Sequence, residues 1–301
     1  MIHLAKVTPE RSRFLLGLVG AGIQASRTPP MHEREGGEQG FRLSYQTIDL
    51  ERLGIGPEAL PELLVSAERM GFAGLNITHP CKQAIIPHLD ELSADAAALG
   101  AVNTVVLRNG RRFGHNTDWW GFSESFKRGL PGAGLDSVVQ LGAGGAGTAV
   151  AHALMTLGVR ELILSDRDRS RAEDVAAALN DRFARFETHR VRVSEDLAAE
   201  MAAADGLVHC TPTGMDKYPG QPLPAELLRP ELWVAEIVYF PLETALLRAA
   251  RRIGCRTLDG GGMAVFQAVE AFRLFTGMKP DHERMLRYFV ELGSEAKEAT
   301  T

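Results

Sequence analysis

The sequence predicts an α/β protein of two domains, one of them built on a doubly wound parallel sheet of Rossmann type. Three observations carry this. Strand-like and helix-like stretches alternate along the whole 301-residue chain, as they do where helical crossovers join parallel strands. A Gly-x-Gly-x-x-Gly turn stands between a strand pattern and a helix pattern near the middle. The length suits two domains of ordinary size, and a hydrophobic content of 45% can fill two cores.

The elements follow in order. The apolar run FLLGLVGAG (14–22) reads as a strand, PPMHEREGGEQG (29–40) as a short helix, and FRLSYQTIDL (41–50) alternates like a strand. GPEALPELLVSAERMG (56–71) is an amphipathic helix with Gly71 as its stop. FAGLNIT (72–78) is a strand that breaks at His79-Pro80, and an apolar-patterned helix follows with Lys82 in its first turn. A cation there faces the positive end of the helix dipole. Such local conflicts tend to collect at functional sites. AVNTVVLRNGRRFGHNT (101–117) reads as a hairpin around the turn pair Asn109-Gly110.

After the turn-rich segment GLPGAGLDS (129–137) the alternation becomes more regular. VVQLGAGGAGTAVAHALMTLG is strand, glycine turn and helix. ELILSDRD is a strand and SRAEDVAAALNDRF a helix; ADGLVHCTPTG and WVAEIVYFP are strands entering loops. ETALLRAARRIG is a helix, CRTLDGG a short strand and turn, and the tail from residue 261 is helical.

Composition narrows the function classes. A net charge of −5, from 33 basic and 38 acidic residues, supplies no nucleic-acid groove and no match to an anionic membrane. No apolar stretch is long enough to span a bilayer. The three cysteines are scattered and odd in number, which fits a reducing cytoplasm rather than a disulfide framework. The nine histidines show no zinc-site spacing, and no metal is expected.

The glycine turn, Gly142-Ala143-Gly144-Gly145-Ala146-Gly147, matches the dinucleotide fingerprint. Its first glycine allows the tight turn, its second lets the backbone approach a pyrophosphate, and its third packs helix on strand. The acidic residue expected about 20 positions later is Asp166, ending ELILSD. A carboxylate there accepts from the adenosine ribose hydroxyls and repels a 2′-phosphate, favouring NAD. Arg167 pairs with a 2′-phosphate, stacks on adenine or faces solvent. NADP therefore stays open.

Seven stretches in order, SRTPPMHE, NITHPCKQ, GAVNTV, GHNTDWWGF, CTPTGM, VYFPLETALL and DGGGMAVFQAVEAF, resemble the shikimate dehydrogenase family. The resemblance covers nearly the whole chain and is strongest to the NAD-preferring quinate/shikimate branch. It implies a substrate domain over 1–117, an NAD-binding Rossmann domain over 118–260, and helices over 261–301 that return to the first domain. It implies reversible oxidation of the C3 hydroxyl of quinate or shikimate by hydride transfer.

The match puts Lys82 and Asp118 at the catalytic pair. Taken alone, Lys82 reads as a solvated lysine and Asp118 as the N-cap of a helix starting at Trp119. Ser26 and Thr28 match hydroxyls that bind the substrate carboxylate, although Ser26-Arg27-Thr28 replaces the Ser-Leu-Ser of many shikimate-specific members. Thr78, Asn103 and Gln267 match residues that bind ring hydroxyls. Taken alone, Asn103 reads equally as a turn residue and Gln267 as an exposed helix position. Tyr239 sits at the end of the strand AEIVYFP, near substrate or in the core. Thr211 carries over from the family's Asn-Ala-Thr-Pro to His209-Cys210-Thr211-Pro212, but the asparagine does not. Gly262 and Met263 would approach the nicotinamide. The alternatives are an NADP-dependent shikimate or aminoshikimate dehydrogenase, or a nicotinamide-sensing relative without turnover. The expected partner is a small hydroxylated ring acid, and a homodimer is compatible with the sequence.

Overall fold

The computed structural model describes residues 13–186 and 188–298. The chain divides into two compact units, residues up to Thr117 with those from Gln267 onward, and Asp118–Phe266. The second division falls inside the helix Gly260–Thr276.

The first unit holds β1 (Arg13–Gly20), β2 (Arg42–Asp49), β3 (Gly74–Ile77), β4 (Glu91–Leu92), β5 (Thr104–Arg108) and β6 (Arg111–His115). They form one sheet in the order β2-β1-β3-β5-β6-β4. β1 runs parallel to β2 and β3, while β5 is antiparallel to β3 and β6. The β5–β6 hairpin turns at Asn109 and Gly110, both with positive φ, which is the primed turn that matches strand twist. Leu64, Leu75 and Val105 belong to one apolar cluster of this unit. Leu16, Phe272 and Phe275 belong to another, which enlists the C-terminal helix Gly260–Thr276.

The second unit holds β7 (Ser137–Leu141), β8 (Glu161–Ser165), β9 (Arg190–Val193), β10 (Gly206–His209), β11 (Trp233–Glu236) and β12 (Arg256–Leu258). Their order is β12-β11-β10-β7-β8-β9, every pair parallel. This is the doubly wound sheet that the alternation predicts. Both faces are covered, so adjacent residues such as Val138 and Val139 enter different apolar clusters, as expected for strands buried on two sides. The strand order reverses between β7 and β10, which opens a crevice at their C-terminal ends.

Several local features differ from the sequence reading. The helix after Pro80 is a single turn, Cys81–Ala84. Pro87 cannot donate, and its ring clashes with the carbonyl four residues back, so an α-helix cannot run through it. One turn carries little dipole, and the electrostatic conflict inferred for Lys82 is correspondingly weak. The helix expected from Trp119 begins at Asp118 itself. β11 stops at Glu236, leaving Tyr239 three residues beyond it and 48% exposed.

Within the first unit, the helix Thr28–Glu38 is tied to His282–Glu298 through a buried carboxylate. Glu35 is fully enclosed and takes Arg284 Nε and Nη2, both at 2.8 Å, in a bidentate pair. Its Oε1 also accepts the Asp281 N–H at 2.9 Å. Removing the guanidinium strands a buried charge, which costs about 3–5 kcal/mol when both partners are fully enclosed. Arg284 keeps 22% of its side chain in water, so Arg284→Ala is expected to cost less, about 2 kcal/mol. Urea unfolding at unchanged m-value measures it.

Candidate active site

In the first unit Thr78, Lys82 and Asn103 lie where β3 ends and β5 begins, in the middle of the sheet. β3 ends at Ile77, and Thr78 follows with its N–H bonded to the Val19 carbonyl at 2.9 Å. A side chain on Gly20 would meet Thr78 Cγ2 at 2.3 Å, so the ends of β1 and β3 are in close contact. The Lys82 carbonyl accepts the Val102 N–H at 2.8 Å, which fixes the one-turn helix beside Asn103 at the start of β5. Lys82 is half-buried and Asn103 buried.

Asn103 is not a turn residue but the centre of a polar chain. Its Oδ1 accepts the Thr117 N–H at 2.8 Å and its Nδ2 donates to Thr117 Oγ1 at 2.9 Å. Thr104 Oγ1 donates to Asn103 Oδ1 and accepts from Asn76 Nδ2, both at 3.0 Å. Tyr45 donates its hydroxyl to Asn76 Oδ1 at 2.5 Å. Asn76, Thr104 and Thr117 carry no family role in the sequence reading, and all are buried. Their bonds set the direction of the segment that leads into Asp118.

Ser26 and Thr28 lie on the loop and helix start that follow β1. Ser26 Oγ accepts the Thr28 N–H at 3.3 Å. Asp49, at the end of β2, holds the preceding turn by accepting from Gly22 N–H, Ile23 N–H and Gln24 Nε2 at 3.0–3.2 Å. The Gln24 amide and those backbone N–H groups hold its carboxyl below the usual range. Asp49 is thus a positioning residue that the motif comparison passed over. Gln267 stands on the C-terminal helix whose Phe272 and Phe275 join the apolar cluster of β1.

In the second unit the glycine turn sits at the end of β7. Gly142 has φ +98°, and a side chain there would press on the Cys210 carbonyl oxygen at 2.7 Å. A side chain on Gly147 would meet the Gly142 carbonyl oxygen at 2.3 Å. Gly144 differs. Its φ is −71°, and a Cβ on it or on Gly145 would meet nothing within 4 Å. The fold needs the first and third glycines, whereas the space at the second is open to a ligand. Gly145 and Ala146 begin the helix Gly145–Leu157, whose N-terminal amides are suited to phosphate.

Gln140 on β7 clamps the turn, its Nε2 bonding the carbonyls of Gly142 and Gly147 at 2.8 Å each. Asp166 follows β8 directly. Its Oδ2 accepts the Ala143 N–H at 2.6 Å and its Oδ1 the Asp168 N–H at 2.9 Å. A carboxylate has about four acceptor positions, so two remain for ribose hydroxyls. Arg167 is exposed. Asp168 caps the helix Arg169–Arg182 through Arg171 N–H and pairs with the Arg171 guanidinium at 3.1 Å. The residues fit a dinucleotide: open backbone at the second glycine, a helix N-terminus, and an acid at the end of the second strand.

Thr211 follows β10, with its Cγ2 3.0 Å from where a Gly142 side chain would begin. Turn, Asp166 and Thr211 therefore converge at the crevice where the strand order reverses. Gly262 and Met263 lie in the helix Gly260–Thr276, not in a loop. A Cβ on Gly262 would meet Ser125 Oγ at 2.1 Å, and Met263 packs on the apolar cluster. Burial and the charge of Glu236 push the Cys210 thiol far up, so it remains a thiol. Among the described residues no group of three His, Cys, Asp or Glu side chains could hold a metal, and no helix is long and apolar enough to cross a membrane.

Comparison with known proteins gives matches at both ends of the chain and along its length. A family model described as "Shikimate dehydrogenase substrate binding domain" matches residues 18–105, and one described as "Shikimate 5'-dehydrogenase C-terminal domain" matches 260–287. The chain is 59% identical to a shikimate dehydrogenase (NADP(+)) of Streptomyces avermitilis, over 94% of this chain and 97% of that one. It is 50% identical to a quinate/shikimate dehydrogenase (NAD(+)) of Corynebacterium efficiens, over 93% and 98%. Among solved structures, quinate dehydrogenase from Corynebacterium glutamicum in complex with NAD aligns with a TM-score of 0.87 and 49% identity, covering 93% of this chain and 99% of that one.

The glycine geometry gives a contrast to measure. Gly147→Ala is expected to destabilise by about 2 kcal/mol through overpacking, while Gly144→Ala stays within about 0.5 kcal/mol of the parent. Thermal unfolding of the two variants tests it.

Proposed function

We propose a function within the shikimate dehydrogenase family, to which this chain belongs: reversible oxidation of the C3 hydroxyl of quinate or shikimate, with NAD preferred. The observation that carries the cofactor preference is Asp166. Its carboxylate ends β8 beside the glycine turn, where an NADP 2′-phosphate would meet like charge. Of the arginines that follow, Arg169 pairs with Glu173 and Glu195 and Arg171 with Asp168, while Arg167 is exposed. NADP use draws support from the 59% identity of the Streptomyces relative, but overall identity does not weigh the one position that faces the ribose.

A bound nicotinamide would supply the acceptor for the hydride that leaves C3. The chain supplies the rest. Lys82 accepts the hydroxyl proton as the carbonyl forms and returns it in the reverse direction. Asp118 completes the acid/base pair. Ser26 and Thr28 offer hydroxyls to the ring carboxylate, and Thr78, Asn103 and Gln267 donate to and accept from the ring hydroxyls. Asn103 suits that task because its partners Thr104 and Thr117 hold its amide in one orientation. Tyr239 is assigned to the substrate, Gly262 and Met263 to the nicotinamide end, and Gly142 to Gly147 with Asp166, Arg167 and Thr211 to the rest of the dinucleotide. Hydroxyl and amide side chains, which both donate and accept, suit a hydroxylated ring acid.

Steady-state kinetics on quinate and shikimate with each cofactor test the proposal. NAD is expected to exceed NADP in kcat/KM by about tenfold or more, and Asp166→Ala to narrow that ratio through loss of about 1–2 kcal/mol of charge discrimination. A preference for NADP in the parent chain would overturn the cofactor assignment. Lys82→Ala is expected to lower kcat by about 100-fold or more while dinucleotide affinity stays within about twofold. Equal losses in both would remove Lys82 from its role.

A further inference from the structure

At the C-terminal ends of β10 and β11, two buried side chains and a half-exposed hydroxyl are bonded in a way that the hydride transfer does not by itself explain. The β10–β11 register makes His209 and Glu236 direct neighbours across the strands. Both side chains are fully enclosed. His209 Nδ1 lies 2.9 and 3.0 Å from the two Glu236 oxygens. Those oxygens also accept the Val238 N–H at 3.0 Å and the Thr244 hydroxyl at 3.1 Å. On the other side of the ring, Nε2 is 2.5 Å from Thr211 Oγ1. Thr211 Oγ1 accepts the Thr213 N–H at 3.3 Å as well.

A carboxylate only accepts, so a hydrogen sits on Nδ1. In the ring that carries this one hydrogen Nε2 is an acceptor, and the Thr211 hydroxyl gives its hydrogen to it. With that hydrogen turned inward, Thr211 presents a lone pair outward. We infer that Glu236 and His209 are positioning residues which fix Thr211 as a hydrogen-bond acceptor for a carboxamide N–H or ribose O–H of the bound dinucleotide. The inference rests on the nicotinamide cofactor proposed above. Stitching β10 to β11 does not account for the arrangement. The parallel ladder already bonds these strands, and an apolar pair would fill the space without desolvating a carboxylate. Thr211, by contrast, is half-exposed beside the first glycine of the turn, where a ligand can reach it.

The test uses the full chain with Thr211→Val, Thr211→Ser, Glu236→Gln and the Val/Gln double variant. Dinucleotide affinity is read from the fluorescence of the reduced cofactor, stability from thermal unfolding, and the His209 tautomer from ¹⁵N correlation spectra without cofactor. Thr211→Val is expected to weaken dinucleotide binding by about three- to tenfold, one hydrogen bond, and Thr211→Ser to retain it. Glu236→Gln is expected to shift the ring hydrogen toward Nε2 and weaken binding by a similar factor, beyond any fall in melting temperature. The double variant should lose no more than either single one, because both act through one hydroxyl. Additive losses, or a parent ring carrying a hydrogen on Nε2, whether alone or together with one on Nδ1, would overturn the inference. If the parent chain binds no dinucleotide, the cofactor reading fails, and the tautomer spectrum still decides which way Thr211 points.

Discussion

The second unit depends on how closely the helix Gly145–Leu157 sits against the turn that precedes it. At Gly147 there is no room for even one carbon beside the Gly142 carbonyl. That approach is stabilised from beneath by the Gln140 amide, which bonds the carbonyls on both sides of the contact. It is stabilised from the side by Asp166, which takes the Ala143 N–H. Held this way, the helix N-terminus and the open backbone of Gly144 face the crevice between β7 and β10. That packing leaves open backbone beside the partial positive charge of the helix end, an arrangement that suits a phosphate.

The first unit uses a different device. Its sheet is mixed, and the antiparallel β5 starts where β3 ends. That geometry brings Thr78, the backbone of Lys82 and Asn103 together at the strand ends. The buried chain from Tyr45 through Asn76, Thr104 and Asn103 to Thr117 then orients the amides there. A polar network this enclosed is costly unless every member is bonded. Its members therefore hold one arrangement. Both units therefore present rigid polar groups at strand ends, where backbone bonds fix them.

Legibility in the sequence followed the range of the interaction. The glycine turn, its flanking strand and helix, and the Asn109-Gly110 hairpin were readable because each rests on backbone conformation within a few residues. The family series located Lys82, Asn103 and Thr211, but not what holds them. Asp49 was missed because its partners Gly22, Ile23 and Gln24 lie 25 or more residues away. The short strands β4 and β9 escaped the reading because RVRV and EL bury too little apolar surface to leave a period. The extent of the helix at Lys82 was misjudged because the apolar pattern continued through Ile85 and Ile86, while Pro87 limited the backbone.

By itself the sequence determined the doubly wound sheet, the place of the dinucleotide turn and the acid at the end of its second strand. Hydrophobic period and glycine placement are local properties of a chain. Only the tertiary structure decided which distant polar groups meet. His209 and Glu236 are 27 residues apart and become partners through strand register alone. Glu35 and Arg284, 249 residues apart, pair only once the helix His282–Glu298 packs beside the helix Thr28–Glu38. Hydrogen bonds and ion pairs act over a few ångströms, so their partners exist only after the sheets have set the register.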